Sequence, residues 1–174
     1  MRGHDNTIST LAISGDGYFI ASGQYGASRT ISNEAPVILW NYDTRAPITQ
    51  FDGLTTKVNK LEFSADGQFL VGLGEEGTIV VWDCKDGVAI YSKRSEFPAL
   101  SVAWGEVRDS NQGLSGAGKH PGYTLISCYA KQVLINNFDF QISSMSYKTT
   151  NESCQMPSTG LTRHFTCGIV DTTG

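Results

Sequence analysis

Two tryptophans forty-two residues apart constrain this chain more than anything else in it. Trp40 closes the run Val37-Ile38-Leu39-Trp40-Asn41, and Trp82 closes Thr78-Ile79-Val80-Val81-Trp82-Asp83. Both runs are rich in β-branched residues and end on an Asx, as short buried strands do. Self-similarity at about 40 residues means one supersecondary unit built repeatedly, each copy burying its apolar face against the next.

The residues between the tryptophans repeat in the same order. Residues 8–14 read as an inner strand, Gly15-Asp16-Gly17 as a tight turn, and residues 18–22 as the next strand, ended by Gly23. In the second unit Val58-Asn59-Lys60-Leu61-Glu62-Phe63-Ser64 alternates apolar and polar, the period of a half-buried strand. Ala65-Asp66-Gly67 turns, residues 68–73 form a strand, Glu75-Glu76-Gly77 turns again, and the Trp82 strand follows. Lys85-Asp86-Gly87 then leads into an outer strand over 88–92. A third unit is degenerate: strands over 100–104, 123–128 and 133–139, with Phe138-Asp139 near the Trp-Asp position, and an outer strand over 142–147. Cys167-Gly168-Ile169-Val170-Asp171 starts a fourth.

The units therefore run over about 3–52, 53–92 and 99–147, with a further start at 166–174. This is an all-β fold: a β-propeller of about three blades and a fragment of a fourth. The smallest usual propellers have about four blades, and radial closure is what protects their edges. The chain is thus expected to be a piece of a longer propeller, cut at the front too, where the outer strand before Gly3-His4 is missing. Residues 25–36, 105–122 and 148–164 break the repeat as Ser-, Gly-, Asn- and Thr-rich insertions. Such loops on a rigid scaffold are either partner contacts or disordered.

Composition narrows the function. The net charge of −4 with no run of more than two Lys/Arg argues against nucleic acid and against an acidic membrane surface. No apolar stretch approaches the ~20 residues of a membrane span. The four cysteines, Cys84, Cys128, Cys154 and Cys167, lack C-x-x-C spacing and read as reduced thiols of an intracellular protein. Asn151-Glu152-Ser153 spells a glycosylation sequon that such a protein would not use.

Motifs for chemistry fail on inspection. Gly113-Leu114-Ser115-Gly116-Ala117-Gly118-Lys119-His120 nearly spells a phosphate-binding loop. His120 replaces the Ser/Thr that would hold Mg²⁺, and Pro121-Gly122 stands where a helix must begin. It reads as a plain loop. His164 and Cys167 could hold two corners of a zinc site, but no second pair has matching spacing. The carboxylates Asp16, Asp66, Glu75, Glu76, Asp83 and Asp86 sit in turns and define no acid/base pair. The expectation is a non-enzymatic protein with no catalytic residue, metal, cofactor or small-molecule substrate.

Gly3-His4, Ser22 and the two Trp-Asx pairs resemble WD repeats. That resemblance implies structural roles for His4, Ser22, Trp40, Trp82 and Asp83, with a His, a strand Ser and the Trp linked through an Asp in a turn. The turn Asp is not identifiable in the first unit, where residues 25–36 replace the turn. The second unit has Asp52-Gly53-Leu54 where a Gly-His would stand.

More specifically, three features resemble the cilia- and flagella-associated protein 52 family. They are Gly3-His4-Asp5-Asn6, then Ile20-Ala21-Ser22-Gly23-Gln24 before a long insertion, and Val37-Ile38-Leu39-Trp40-Asn41-Tyr42. The next repeat, with Leu61-Glu62-Phe63-Ser64 and Val80-Val81-Trp82, is similar, as is the stretch from Gln155 to Ile169. The resemblance implies the start of an N-terminal propeller in a two-propeller structural protein. It implies a place in the axoneme of motile cilia and flagella, inside doublet microtubules, with tubulin and other luminal proteins as partners. The alternatives are a WD adaptor of a soluble complex and a WD protein of the outer microtubule lattice.

Overall fold

The structure is a computed structural model that describes residues 2–26, 34–94, 98–105, 107, 122–130, 132–140 and 147–155. The readings of 166–174, of the near phosphate loop at 113–120, and of His164 and Cys167 lie outside the described residues. So do the tip of the first insertion, most of the second and the end of the third.

Among the described residues, twelve strands form three antiparallel four-stranded sheets, each in simple sequence order. The first holds β1 (Ile8–Ile13), β2 (Phe19–Gln24), β3 (Val37–Asn41) and β4 (Pro47–Phe51). The second holds β5 (Val58–Phe63), β6 (Phe69–Gly74), β7 (Ile79–Asp83) and β8 (Ala89–Lys93). The third holds β9 (Ser101–Trp104), β10 (Gly122–Cys128), β11 (Gln132–Phe140) and β12 (Tyr147–Gln155). Among the described residues no helix is long and apolar enough to cross a membrane. The chain divides into two compact units, Met1–Ala99 with the first two sheets and Leu100–Gly174 with the third.

The β1–β2 and β5–β6 turns are copies of one another. Ser14 Oγ donates to Asp16 Oδ1 at 2.5 Å and accepts from Phe19 N–H at 2.9 Å. Ser64 Oγ makes the same pair with Asp66 at 2.6 Å and Phe69 N–H at 3.0 Å. Gly17 and Gly67 carry the positive φ that closes each turn, 78° and 72°. A Ser-x-Asp-Gly tetrad thus fixes the strand register with side-chain bonds as well as backbone ones.

The core of the first unit lies between its two sheets. Ala21, Val37, Leu39 and Phe51 of the first sheet meet Val58, Leu61, Leu70, Val80 and Trp82 of the second, with Leu54 of the segment between the sheets. Phe51 stacks on Trp82 with ring centroids 5.3 Å apart. Two contacts bring β5 against the first sheet. Ser9 Oγ donates to Val58 O at 2.6 Å, and a Cβ on Gly23 would lie 2.6 Å from Val58 Cβ. Gly23 therefore does not end β2, which continues to Gln24; the glycine is there because β5 leaves no room for a side chain.

The third sheet corrects two expectations. Its outer strand covers Tyr147–Gln155, so residues 148–155 belong to the sheet and not to an insertion, while residues 142–146 of the expected outer strand lie outside the described residues. Ser, Thr and Asn favour loops by composition, but pairing to β11 overrides that preference. Its Trp-Asp position is also shifted. Asn136 pairs with Leu125 as Trp40 pairs with Ile20, and Ser127 pairs with Leu134 as Ser22 pairs with Ile38. Asn136-Asn137 occupies the place expected for Phe138-Asp139.

Candidate structural site of the first blade

β2, β3 and the segment before β1 bring His4, Ser22, Gln24 and Trp40 together. Ser22 and Gln24 alternate onto the same face of β2, and Trp40 reaches Ser22 diagonally across the β2–β3 ladder. Trp40 Nε1–H donates to Ser22 Oγ at 2.7 Å, and His4 Nε2 lies 2.6 Å from the same oxygen. His4 Nδ1 lies 2.6 Å from Gln24 Oε1, and Gln24 Nε2–H donates to Asp5 Oδ1 at 2.6 Å.

The donor inventory fixes the direction of this chain for a neutral imidazole. A carbonyl oxygen only accepts, so Nδ1 must carry the proton toward Gln24. Nε2 is then the acceptor, and the Ser22 hydroxyl donates to it while accepting from Trp40. The run is Trp40 to Ser22 to His4 to Gln24 to the Asp5 carboxylate, every group satisfied. Trp40, Ser22 and Gln24 are all at most 2% exposed, so each bond replaces one that water would otherwise have made. Gly3 completes the site: a Cβ there would lie 2.9 Å from Trp40 Cη2, so only glycine lets the chain lie flat on the indole.

Gln24 is the residue that sequence reasoning missed. The acid sought in a turn stands instead next to the histidine, as Asp5, and acts through the Gln24 amide. The signal available was the Ser-x-Gln alternation, which puts both side chains on one face of β2. The insertion at 25–36 is compatible with this because its two ends are tied down. Tyr25 and Glu34 form bridges with Lys57 and Thr55, and the Lys57 ammonium lies 5.1 Å from the Tyr25 ring centroid.

The second blade fills the same place with hydrocarbon. Leu54 stands four residues before β5 as His4 stands four before β1, and Gly72 and Gly74 replace Ser22 and Gln24. Leu54 is buried, and Cβ atoms on Gly72 and Gly74 would come within 2.9 and 3.2 Å of its methyl carbons. Trp82 Nε1–H, deprived of a serine, donates to Asp52 O at 3.0 Å. Asp83 Oδ1 sits apart from that cluster and accepts from Lys85 N–H and Asp86 N–H, closing the β7–β8 turn. In the third sheet Asn136 Nδ2 reaches Ser127 Oγ and Leu125 O only at 3.4 Å, and Asn136 Oδ1 has no partner among the described residues.

Nothing in these three clusters is arranged for chemistry. Among the described residues no group of three or more His, Cys, Asp or Glu could hold a metal ion. Burial pushes the Cys84 thiol up to about 12, with Asp83 and Asp66 adding to the effect, so it is no nucleophile at neutral pH.

The WD domain, G-beta repeat, matches residues 1–32 and 45–83. The chain carries WD repeats. It is 38% identical over 84 residues to human "Cilia- and flagella-associated protein 52", covering 47% of this chain and 13% of that protein. The mouse protein of the same name is 36% identical over 124 residues, 68% of this chain and 20% of its own length. The resemblance to that family read from the sequence is thus found in curated relatives, although the chain spans a fifth or less of their length. Among solved structures, the β-propeller domain of Cps50 (Swd1) from Myceliophteria thermophila superposes with a TM-score of 0.59 at 16% identity. It is matched over 91% of this chain and 39% of its own, as an incomplete propeller would be.

Proposed function

We propose that this chain is part of a non-enzymatic structural protein of motile cilia and flagella, one that binds tubulin and other luminal proteins inside axonemal doublet microtubules and stabilises them. The observation that carries this reading is the similarity to relatives named cilia- and flagella-associated, at 34–38% identity in several species. The geometry is compatible with it. The polar clusters of the first two blades cover Trp40 and Trp82 and close turns within each blade, which suits a scaffold that contributes surface rather than chemistry. We further propose the blade units 3–52 and 53–92 as the domain organisation of the first 92 residues, and His4, Ser22, Trp40, Trp82 and Asp83 as its structural positions.

Immunoblotting of high-salt-washed axonemes beside the soluble extract tests the assignment. Exposed electrostatic contacts weaken as salt screens them, whereas a protein enclosed in the lumen stays. Retention in the washed axoneme is the expected result. Recovery only in soluble extract would sink the assignment and favour a WD adaptor.

A further inference from the structure

Four Asp-Gly pairs occur in the sequence: Asp16-Gly17, Asp52-Gly53, Asp66-Gly67 and Asp86-Gly87. Such a pair carries chemistry of its own. The backbone nitrogen after an aspartate can attack the side-chain carboxyl carbon and close a five-membered imide. Glycine in that place neither shields the nitrogen nor resists the backbone angles of the ring. What the step needs is a nitrogen free to move onto the carboxyl.

Three of the pairs are held out of that geometry. Gly17 N–H donates to Ser14 O at 2.9 Å, Gly67 N–H to Ser64 O at 2.9 Å and Gly87 N–H to Asp83 O at 3.0 Å. Each nitrogen is thus fixed in the turn that joins two strands. Two of the carboxyls are fixed as well, Asp16 by Ser14 Oγ and Tyr18 N–H, and Asp66 by Ser64 Oγ and Gln68 N–H. Asp52-Gly53 differs. It lies between β4 and β5, both residues are exposed, and Gly53 N–H has no hydrogen-bond partner among the described residues. Asp52 Oδ1 accepts from Gln50 Nε2–H at 3.2 Å, and Gln50 is itself exposed.

We propose that Asp52-Gly53 is a self-modification site, where the chain isomerises to isoaspartate. Gly53 N bonds to Asp52 Cγ, and the carboxyl hydroxyl leaves with the nitrogen's proton as one water. Water then adds back to the cyclic imide. When the ring opens at the Asp52 backbone carbonyl, that carbonyl becomes a free carboxylate and the main chain runs through Cβ and Cγ. The carbonyl concerned is the one that holds Trp82: Trp82 Nε1–H donates to Asp52 O at 3.0 Å. The flanking Phe51 and Leu54 are each 1% exposed. Isomerisation lengthens the chain between these two anchors and sets a negative charge beside a buried indole, so the modified blade is less stable.

Ageing the whole chain in mildly acidic buffer, then mapping peptides by electron-transfer fragmentation, counts isoaspartate at all four pairs. In the folded chain Asp52 should convert about tenfold or more faster than the other three, whose nitrogens must first be released by local opening. In denaturant the four rates should converge. Equal rates in the folded chain would overturn the proposal. So would a preference for Asp52 that survives in denaturant, since neighbouring side chains and not the fold would then cause it. Asp52→Glu keeps the charge and the backbone carbonyl but would have to close a larger ring. It should melt like fresh wild type and keep that melting temperature on ageing, while the wild type's falls. Equal falls in both would overturn the coupling to Trp82.

Discussion

Ser22 and Gly72 hold the same register position in consecutive blades, opposite Ile38 and Val80, and they carry opposite solutions to one packing problem. A tryptophan from the third strand must be covered and its N–H satisfied. The first blade does this with a polar chain through Ser22, His4, Gln24 and Asp5. The second uses Leu54 packed into the space that two glycines leave, and a backbone carbonyl for the indole N–H. A polar group and its partner can be exchanged together for apolar groups at little net cost, whereas removing one alone strands the other.

Ser22→Ala should therefore be costly. It leaves Trp40 N–H and His4 Nε2 without their shared partner in a buried place, at about 1–3 kcal/mol. Denaturant unfolding followed by tryptophan fluorescence reads this directly.

Gly72→Ser should be as harmful for the opposite reason. Its Cβ would lie 2.5 Å from Trp82 Cη2, and restoring the serine of the first blade does not restore the histidine. Overpacking of this kind costs roughly 1–3 kcal/mol. Adding Leu54→His to Gly72→Ser should not recover wild-type stability, because Gly74 supplies no partner for the imidazole. A thermal melt of the double variant checks this.

Asn136→Leu should leave stability unchanged or raise it. The asparagine makes only long bonds and carries a buried oxygen without a partner among the described residues, so an apolar replacement removes a penalty of about 1 kcal/mol. A lowered melting temperature would show that the amide is better satisfied than its geometry indicates.

Asp16→Asn should flatten the acid limb of the stability profile. Hydrogen bonds from the Ser14 hydroxyl and then the Tyr18 N–H hold its carboxyl below the usual carboxylate range. A depressed folded pKa adds stability above the unfolded value near 3.8, and that share is lost as pH falls through the folded one. The difference between wild type and variant should thus shrink below about pH 4. Urea titrations at pH 7 and pH 3 measure it.

Cys84 should resist alkylation in the native chain at pH 8 and react once unfolded, because the buried thiol is not ionised until about pH 12. The same shift carries a stability consequence. The protonated thiol is favoured in the fold, so its contribution is complete below the unfolded value of 9.0 and is lost as pH rises toward 12. Mass-spectrometric mapping of iodoacetamide adducts tests the first statement.

The sequence by itself determined the unit. Trp spacing, the two Ser-x-Asp-Gly turns and period-two alternation place ten of the twelve described strands within a few residues, because these are local signals read along a strand. Local signals fail where the partner strand decides. β4, Pro47-Ile48-Thr49-Gln50-Phe51, has a weak alternation, and the Ser-, Thr- and Asn-rich β12 has the composition of a loop; pairing with β3 and with β11 makes them strands. The Asn136-Asn137 position needed the register, since Phe138-Asp139 fits the motif better by letter.

Only the tertiary structure decided what each residue is for. Leu11 and Leu61 hold the same place in β1 and β5, yet Leu11 is 63% exposed and Leu61 is 4% exposed beneath the first sheet. Gly23 is a clearance for Val58, and Gln24 a bridge from His4 to Asp5. Their neighbours come from across the sheet or from the next blade, and period-two alternation in one strand carries no record of what will be packed against its face.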